Sequence, residues 1–505
     1  MTDTRLRTLD GFCGAGGITT GLSLALEELF GPGVLEERVD HVAINHWDTA
    51  IRTHETNHPW ARHMNRDLEA VKPHEAVPGG RVHLACWAPE CTFHSVASGG
   101  KPTKDQKRMQ PWLILPFLQE LYVENVLIEN VPEFRNWGPL DEDGNRIREK
   151  SGETFQAFIR AIKSLGYAVD WRVLNAADYG DPTTRKRLFI VGSRTRRPTF
   201  PEPTHSNEDP ELPDWRSASE VIDWSDPGES IWTRDTPLVQ NTMQRIAEGL
   251  RRHGHDKLEP FADAVAGLGK EDVEQLQQAA VPVEDVTPEL VENAEQPFLV
   301  TFGEGAVSTL MPPYLLGQHG GSIPRDADNP PPTIATRGAI RFFQPEAFIL
   351  PRNGRHRGLH SNPAYDPDGG PLHTVTASNH DGHLVTPYLV QYHGASTAQP
   401  VTDPLPTQTT RDRFALVVPQ LWPWGLDVRF RMLQPLELAR AMGFPDSYEF
   451  TGTKTDTVRQ IGNAVAVNTA KELCLEILTN EAEPIVQPEP APGADEMEFP
   501  PEVEA

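Results

Sequence analysis

Cysteine is scarce in this chain: four residues, Cys13, Cys86, Cys91 and Cys474, among 505. No pair stands at a metal-knuckle or redox spacing, so a disulfide framework is excluded and each thiol is read singly. Long apolar runs are lacking too. No stretch approaches the roughly 18–20 residues that a membrane-spanning helix needs, and the start MTDTRLRTLD has no apolar core of a secretory signal. We therefore expect a soluble, cytoplasmic protein with no membrane partner. Positive charge is also short: 46 Lys and Arg stand against 72 Asp and Glu, a formal net charge of −26. What is present is enough apolar residue, 38%, to build buried cores, which excludes full disorder and a fibre. The length suits two or three domains, and 47 prolines with 39 glycines imply long irregular stretches.

A strongly acidic chain ordinarily repels nucleic acid, but these acids are unevenly placed. The tail from Ala482 to Ala505 carries seven acids, six prolines and no Lys or Arg, a composition that buries too little to fold. Glu271 to Gln296 adds eight acids and no base. Without those two segments the formal charge is −11, and the bases gather at Arg185-Lys186-Arg187, Arg194–Arg197, Arg251-Arg252 and Arg352–Arg357. Such clusters suit either a solvated surface or a cleft for a polyanion.

Alternating strands and helices are predicted over 1–195. Leu6–Leu9, Val82–Cys86, Val126–Ile128 and Leu188–Val191 read as buried strands. Ile18, Leu22, Leu26 and Leu29 recur at helical spacing, as do Phe155, Phe158, Ile162 and Leu165 before a stop at Gly166. This order implies a doubly wound, mostly parallel α/β sheet with its ligand at the carboxyl ends of the strands. From about Pro198 the chain turns Pro-rich, and a degenerate repeat appears: Pro313-Tyr-Leu-Leu, Ala347-Phe-Ile-Leu and Pro387-Tyr-Leu-Val, each followed by a Thr-containing strand at Thr333, Thr374 and Thr407. The period fits a small stacked or meandering β-structure. Its Arg337, Arg341, Arg352, Arg355, Arg411 and Arg413 suit a phosphate backbone, or the repeat is purely architectural. Helical periodicity returns after about Asp427, so the sheet domain is expected to be interrupted at 196–426, completed by 427–481, and followed by a disordered tail at 482–505.

Four segments carry chemistry. Asp10-Gly-Phe-Cys-Gly-Ala-Gly-Gly17 joins a strand to a helix by a glycine turn, which lets backbone amides approach a cofactor; alone it fits a dinucleotide, S-adenosylmethionine or a mere tight connection. Cys91 follows a predicted strand in a polar loop, where a nucleophile must be reachable. Glu129, in Ile128-Glu-Asn-Val-Pro132, sits at another strand end and suits a proton donor. Arg185 and Arg187 suit an anionic ligand.

In content and order these segments resemble the DNA (cytosine-5)-methyltransferase family. Asp10–Gly17 is similar to its cofactor motif, Pro89–Ser95 to its catalytic-cysteine loop, Glu129-Asn130-Val131 to its Glu-Asn-Val motif and Arg185-Lys-Arg187 to its paired arginines. Arg431–Pro445 and Gln460-Ile-Gly-Asn-Ala-Val465 resemble its last two blocks. The resemblance covers about 1–195 and 427–480, and 196–426 falls where the family inserts its target-recognition region. It implies the S-adenosylmethionine-dependent methyltransferase fold, S-adenosyl-L-methionine as co-substrate, no metal, and double-stranded DNA as partner. It also implies a monomer in the cytoplasm of a bacterial or phage-infected cell, with a cognate restriction endonuclease as an optional partner. The base would be flipped out; Cys91 would attack carbon 6, Glu129 would serve ring nitrogen 3, and Arg185 with Arg187 would bind the base carbonyl or a phosphate. Phe12, Gly14, Gly16, Gly17, Trp47, Asp67, Leu68 and Asn463 would hold the cofactor.

Three departures stand out against that pattern. Glu90 precedes Cys91 and Thr92 follows it; the end of the second strand offers Asn45 or His46 where the family places an acid for the ribose; and Thr183 replaces a usual Gln. A silent DNA- or cofactor-binding relative, or the same chemistry on RNA, remains an alternative. A nicotinamide oxidoreductase accounts for the glycine turn alone.

Overall fold

The computed structural model describes residues 5–89, 109–142, 145–253, 258–287, 290, 294, 296–302, 307–311, 349–350, 383–384, 387–392, 398–422 and 425–479. It divides into two units, one formed by residues up to Trp215 together with those from Met442, the other by Arg216–Ala441.

The first unit is built on seven strands: β1 (Leu6–Gly11), β2 (Val39–Asn45), β3 (Arg62–Asn65), β4 (Arg81–Trp87), β5 (Tyr122–Asn130), β6 (Ala168–Asn175) and β7 (Lys186–Ser193), in spatial order 3-2-1-4-5-7-6. All pairings are parallel except those of β7, which runs antiparallel to β5 and β6. Alternation along the central strands explains why both faces are covered. Ala85 and Trp87, Val126 and Ile128, Leu188 and Ile190 join one core, with Phe117, Phe155, Phe158 and Ile162. Leu84 and Cys86, Leu127, Phe189 and Val191 join the other, with Ile18, Leu22 and Leu26. Each fully buried Leu or Phe contributes roughly 1.5–3 kcal/mol, so the sheet needs a layer on each face.

The helices of this part are α1 (Gly17–Phe30), α2 (Val34–Arg38), α3 (Asp48–Asn57), α4 (Pro73–Ala76), α5 (Ile114–Glu120) and α6 (Glu153–Ser164). α6 buries Phe155, Phe158 and Ile162 of the face read from the sequence, together with Ile159, which that reading left out, while Leu165 beyond its end is half-buried and Gly166 has φ +90°.

In the second unit an antiparallel sheet carries β8 (Glu229–Ser230), β9 (Val281–Pro282), β10 (Phe298–Phe302), β11 (Val307–Met311), β14 (Tyr388–Gln391), β15 (Ala398–Pro400), β16 (Phe414–Trp422) and β17 (Gly425–Met432), while β12 (Ile349–Leu350) and β13 (His383–Leu384) pair with each other. The parallel pairing of β9 with β10 is the exception in that sheet. Helices α7 (Gln240–His253), α8 (Glu259–Gly267) and α9 (Lys270–Gln278) belong to this unit. α7 and α8 bury Met243, Ile246, Leu250, Phe261 and Val265 against Tyr388, Val417, Leu426 and Val428. At Gly249 a β-carbon would lie 1.9 Å from the Tyr388 ring, so only glycine admits this ring, whose hydroxyl donates to Ile246 O at 2.6 Å.

α10 (Pro435–Ala441) ends the second unit; the chain then returns to the first for α11 (Lys454–Asn463) and α12 (Val467–Thr479). α12 packs on α1 where Gly21 leaves no room for a β-carbon, which would stand 2.7 Å from Ala470 Cβ.

The sequence reading differs from this structure at three places. Residues 196–215 group with the first unit, because Phe200 enters its core, Tyr179 donates to Pro201 O and the Trp215 indole donates to Asp178. Asp427 opens no helical segment but lies within β17, whose Leu426, Val428 and Phe430 alternate inward; helix begins at Pro435. Thr407–Thr409 form no strand: Pro404 and Pro406 remove amide donors, Thr409 Oγ1 turns back to Arg411, and the strand starts at Phe414. Pro313–Leu316 and the strands expected at Thr333 and Thr374 lie outside the described residues, as do Arg337, Arg341, Arg352, Arg355 and the 482–505 tail.

Candidate active site

β1 runs to Gly11, where a β-carbon would stand 2.2 Å from the Trp87 ring of the neighbouring strand, and the chain then makes a strained turn. Phe12 has φ +62°, an unusual conformation for a residue with a side chain, and Gly14 and Gly16 have φ +56° and +92°. Cys13 N–H donates to Ile44 O at 3.1 Å, which ties the turn to β2. Phe12 is thereby carried into a cavity of about 300 Å³ at the carboxyl ends of β1 and β2, together with Ile44, Asn45, His46, Arg66, Asp67, Leu68, Glu69, Met109, Gln110 and Leu113.

Of the residues expected at the cofactor, Phe12, Asp67 and Leu68 line this cavity; Gly14, Gly16, Gly17, Trp47 and Asn463 do not. The half-buried Trp47 has the Arg459 guanidinium 4.4 Å from its ring centroid. Asn463 is exposed at the end of α11. Asn45 accepts from Trp47 N–H at 2.9 Å, so its carbonyl oxygen shapes the turn, and His46 Nδ1 lies 3.8 Å from Asp67 Oδ1. Arg66, Glu69, Met109, Gln110 and Leu113 were not read from the sequence, since residues converging from two separate segments leave no periodic signal. Arg66 and Glu69, which flank Asp67-Leu68, had a neighbour to point to them.

On the other side of β1, β4 ends at Trp87 and leads through Ala88 to Pro89; Glu90, Cys91 and Thr92 lie outside the described residues. Asn130 fixes the start of that loop, donating through Nδ2 to Pro89 O at 3.2 Å while its Oδ1 accepts from Val131 N–H. Its neighbour Glu129 is buried at the end of β5, with Arg187 Nε 3.1 Å from Oε1. Burial pushes the Glu129 pKa up, and the charges of Arg187 and Arg185 pull against that rise without cancelling it. The structure thus brings Arg187 to Glu129. Arg185 acts on Glu129 through its charge, while its Nη2 donates to Gly462 O and Ala464 O, each at 2.9 Å. Thr183 is wholly buried.

The other three thiols are buried. Burial pushes the Cys13 thiol up, and Cys86 is raised by its contact with Cys474 and by burial, so neither suits a thiolate nucleophile.

Beneath the glycine turn lies a buried polar network that sequence reasoning missed. Thr19 donates to Asp10 Oδ2 at 2.8 Å and meets His54 Nε2 at 3.0 Å and His41 Nε2 at 3.3 Å; His54 Nδ1 meets His63 Nε2 at 2.8 Å. Thr20 donates to Gly16 O and Tyr448 to Ala15 O, and both hydroxyls face His58 Nε2. Burial holds Asp10 up at about 7, and pushes His41 down to about 3 and His58 to about 4. The signal was the run of histidines at 41, 54, 58 and 63, which periodicity alone does not place together. Among the described residues no group of three or more His, Cys, Asp or Glu is arranged to hold a metal ion, and no helix is long and apolar enough to cross a membrane.

A family model described as C-5 cytosine-specific DNA methylase matches residues 6–275 and 368–479. Over 210 residues the chain is 30% identical to the type II methyltransferase M.AgeI of Thalassovita gelatinovora, covering 40% of this chain and 43% of that protein. It is 26% identical over 229 residues to the type II methyltransferase M.AquIA of a Picosynechococcus strain, covering 42% of this chain and 89% of that one. With DNA (cytosine-5)-methyltransferase 1 of Mus musculus the identity is 25% over 531 residues, 94% of this chain and 28% of the mouse protein. The match therefore spans less than half the length of M.AgeI and under a third of the mouse protein. Since the family model takes in well over half of the sequence, the chain belongs to the C-5 cytosine-specific DNA methylase family.

Proposed function

We propose that this protein is a DNA (cytosine-5)-methyltransferase, transferring a methyl group from S-adenosylmethionine to carbon 5 of a flipped-out cytosine in a specific duplex sequence. The observation that carries this reading is the buried Glu129–Arg187 pair at the end of β5, one residue from Asn130, whose amide holds the start of the Cys91 loop. A cavity fit for an adenosyl group stands at the neighbouring strand ends. About 300 Å³ is the lower end of small-molecule sites, Phe12, Ile44, Leu68 and Leu113 offer apolar walls for a flat ring, and Asn45, His46, Asp67 and Glu69 offer hydrogen-bond partners.

A cytosine stacked in a duplex exposes neither ring face, so the target must leave the stack before a side chain reaches carbon 6. The Cys91 thiolate adds there and makes carbon 5 nucleophilic. Glu129, biased by burial toward its protonated form, gives its proton to ring nitrogen 3 as negative charge develops. Arg187, fixed against Glu129, donates to the base carbonyl and stabilises the same charge. Bound S-adenosylmethionine supplies the electrophilic methyl group. Water takes the carbon 5 proton as the carbon 6–sulfur bond breaks and releases the Cys91 thiolate, and ring nitrogen 3 returns its proton to Glu129. The glycine turn, with Phe12, Gly14, Gly16 and Gly17, and the Asp67-Leu68 wall position the cofactor. The second unit, with the segments that flank it, reads the target sequence, and a cognate endonuclease is the partner such an enzyme protects against.

The test is transfer of labelled methyl to unmethylated mixed-sequence duplex DNA, with Cys91→Ser in parallel and nucleoside analysis of the product. Label in 5-methylcytosine that vanishes in Cys91→Ser is the expected result. A folded protein that binds cofactor and labels no duplex would instead support a silent relative or an RNA acceptor.

A further inference from the structure

The two arginines of the Arg185-Lys-Arg187 segment do different jobs. Arg185 is buried, and one nitrogen, Nη2, donates to both Gly462 O and Ala464 O. These carbonyls flank the end of α11, and the next residue, Val465, lies against the first residue of α1: a β-carbon on Gly17 would stand 2.3 Å from Val465 O. Four residues before Arg185, the fully buried Asp181 holds the other end of the same stretch. Its Oδ1 accepts from Asn468 N–H at 3.2 Å, and its Oδ2 accepts from Thr469 N–H and Oγ1–H, each at 3.1 Å. Those donors are the first turn of α12, the helix that packs on Gly21 of α1. The connection from β6 to β7 therefore grips residues 462–469 at both ends, and that stretch backs the glycine turn.

We propose that Asp181 and Arg185 are positioning residues for cofactor binding, acting through Gly462–Thr469 on Gly17, and that Arg187 alone of the two arginines serves the base. This rests on the cofactor reading of the glycine turn given above. Gly17 and Gly21 are the close-approach points through which any movement of 462–469 reaches α1. A loosened clamp thus widens the turn while the Glu129–Arg187 pair, on the other side of β4, keeps its 3.1 Å contact; Arg185→Met also removes a charge that acts on Glu129, and Asp181→Asn keeps that charge in place.

The experiment measures S-adenosylhomocysteine binding by titration calorimetry and steady-state methyl transfer to duplex DNA, on the full chain and on Arg185→Met, Arg185→Lys, Asp181→Asn and Arg187→Met. Arg185→Met is expected to weaken S-adenosylhomocysteine binding and raise the cofactor KM by roughly tenfold, the size set by a lost charge-assisted hydrogen bond, with kcat moving far less. Arg185→Lys should restore most of the affinity, since one ammonium can donate to both carbonyls, whereas a role needing the planar guanidinium fork would not be rescued. Asp181→Asn should show the same split at smaller size and serves in its place if Arg185→Met does not fold. Arg187→Met should lose kcat and keep S-adenosylhomocysteine affinity. Unchanged affinity with lost kcat in Arg185→Met, unrescued by Lys, overturns the inference and leaves the methyltransferase reading intact. Absence of both binding and transfer in the unmutated protein overturns that reading itself.

Discussion

Replacing His58 with Gln removes one titrating ring from beneath the glycine turn, and the acid stability of the first unit then tests how that turn is supported. Burial, aided by the charge of His63, takes the His58 pKa from 6.5 to about 4 in the folded chain. The unfolded chain accepts a proton below pH 6.5 that the folded chain refuses, so stability present above 6.5 is lost progressively down to about 4. At about 1.36 kcal/mol for each pH unit by which a pKa moves, this single ring withdraws about 3 kcal/mol between neutrality and pH 4. His41, held at about 3 by burial, withdraws a similar amount. Asp10, held up at about 7, acts in the opposite sense, because its folded carboxyl takes a proton before the unfolded one does. It returns about 3 kcal/mol over the same window, leaving the three groups with a net loss of about 3 kcal/mol on acidification. His54 and His63, both lowered, add to the loss.

The assay is urea unfolding of the parent and His58→Gln, read by tryptophan fluorescence. Trp60, whose ring centroid lies 6.1 Å from His58 and 5.2 Å from His41, reports on the network. The parent's stability relative to the variant should fall by about 3 kcal/mol from pH 7 to pH 4, with roughly 1 kcal/mol of it gone by pH 5.5. Taking the difference between the two proteins cancels every carboxylate they share. A difference that stays constant with pH would show that His58 titrates alike in folded and unfolded chains, and the account of a buried neutral network would fail.

Glu129→Gln removes the proton donor and its charge pairing with Arg187; methyl transfer should drop by about 10²–10⁴-fold while circular dichroism stays unchanged. Gly21→Ala puts a β-carbon 2.7 Å from Ala470 Cβ, Lys471 N and Val467 O; forcing α1 and α12 apart should cost about 1–3 kcal/mol, measured as a lower denaturation midpoint. Tyr388→Phe removes the hydroxyl that supplements the helical bond to Ile246 O and should destabilise the second unit by about 0.5–1.5 kcal/mol in the same measurement. If the protein tracks a phosphate backbone, its affinity for duplex DNA should fall steeply as salt rises, and an affinity indifferent to salt would count against that mode.

The central strands β4, β5 and β7 were legible because they are buried on both faces: Leu84 to Trp87 and Leu188 to Val191 are apolar without interruption, and only a doubly covered sheet tolerates that, whereas the half-exposed β3 and β6 carry no such run and were not read. β17 was equally legible in principle. Leu426, Val428 and Phe430 alternate with polar residues, and the strand was passed over because apolar residues at helical spacing follow immediately. The division of labour between Arg185 and Arg187 was not legible. Two residues apart they would share one face of an extended strand, but β7 starts at Lys186 and Arg185 still belongs to the connection, where the chain points its side chain at the C-terminal segment. The cavity was half legible, since motif residues such as Phe12 and Asp67 announce themselves while Met109, Gln110 and Leu113 come from a stretch with no motif of its own.

The C-terminal segment shows why the interrupted order of the chain is physically demanding. Ile18, Leu22 and Leu26 of α1 belong to a core that also holds Val465, Leu473, Cys474 and Ile477. Until residues 442–479 are in place, the apolar face of α1 lacks that cover, and Gly17 and Gly21 lack the backbone they were kept bare to receive. A chain ending at Ala441 should therefore expose the α1 face and bind a hydrophobic dye, whatever the state of the second unit, and its glycine turn should bind S-adenosylhomocysteine poorly. Supplying 442–479 as a separate polypeptide should restore binding only if Asp181 and Arg185 are intact, since those two side chains grip the returning segment at both ends. Restoration that is indifferent to both would mean that apolar packing alone seats α12, and that the polar grip is a consequence of the docking and not its cause.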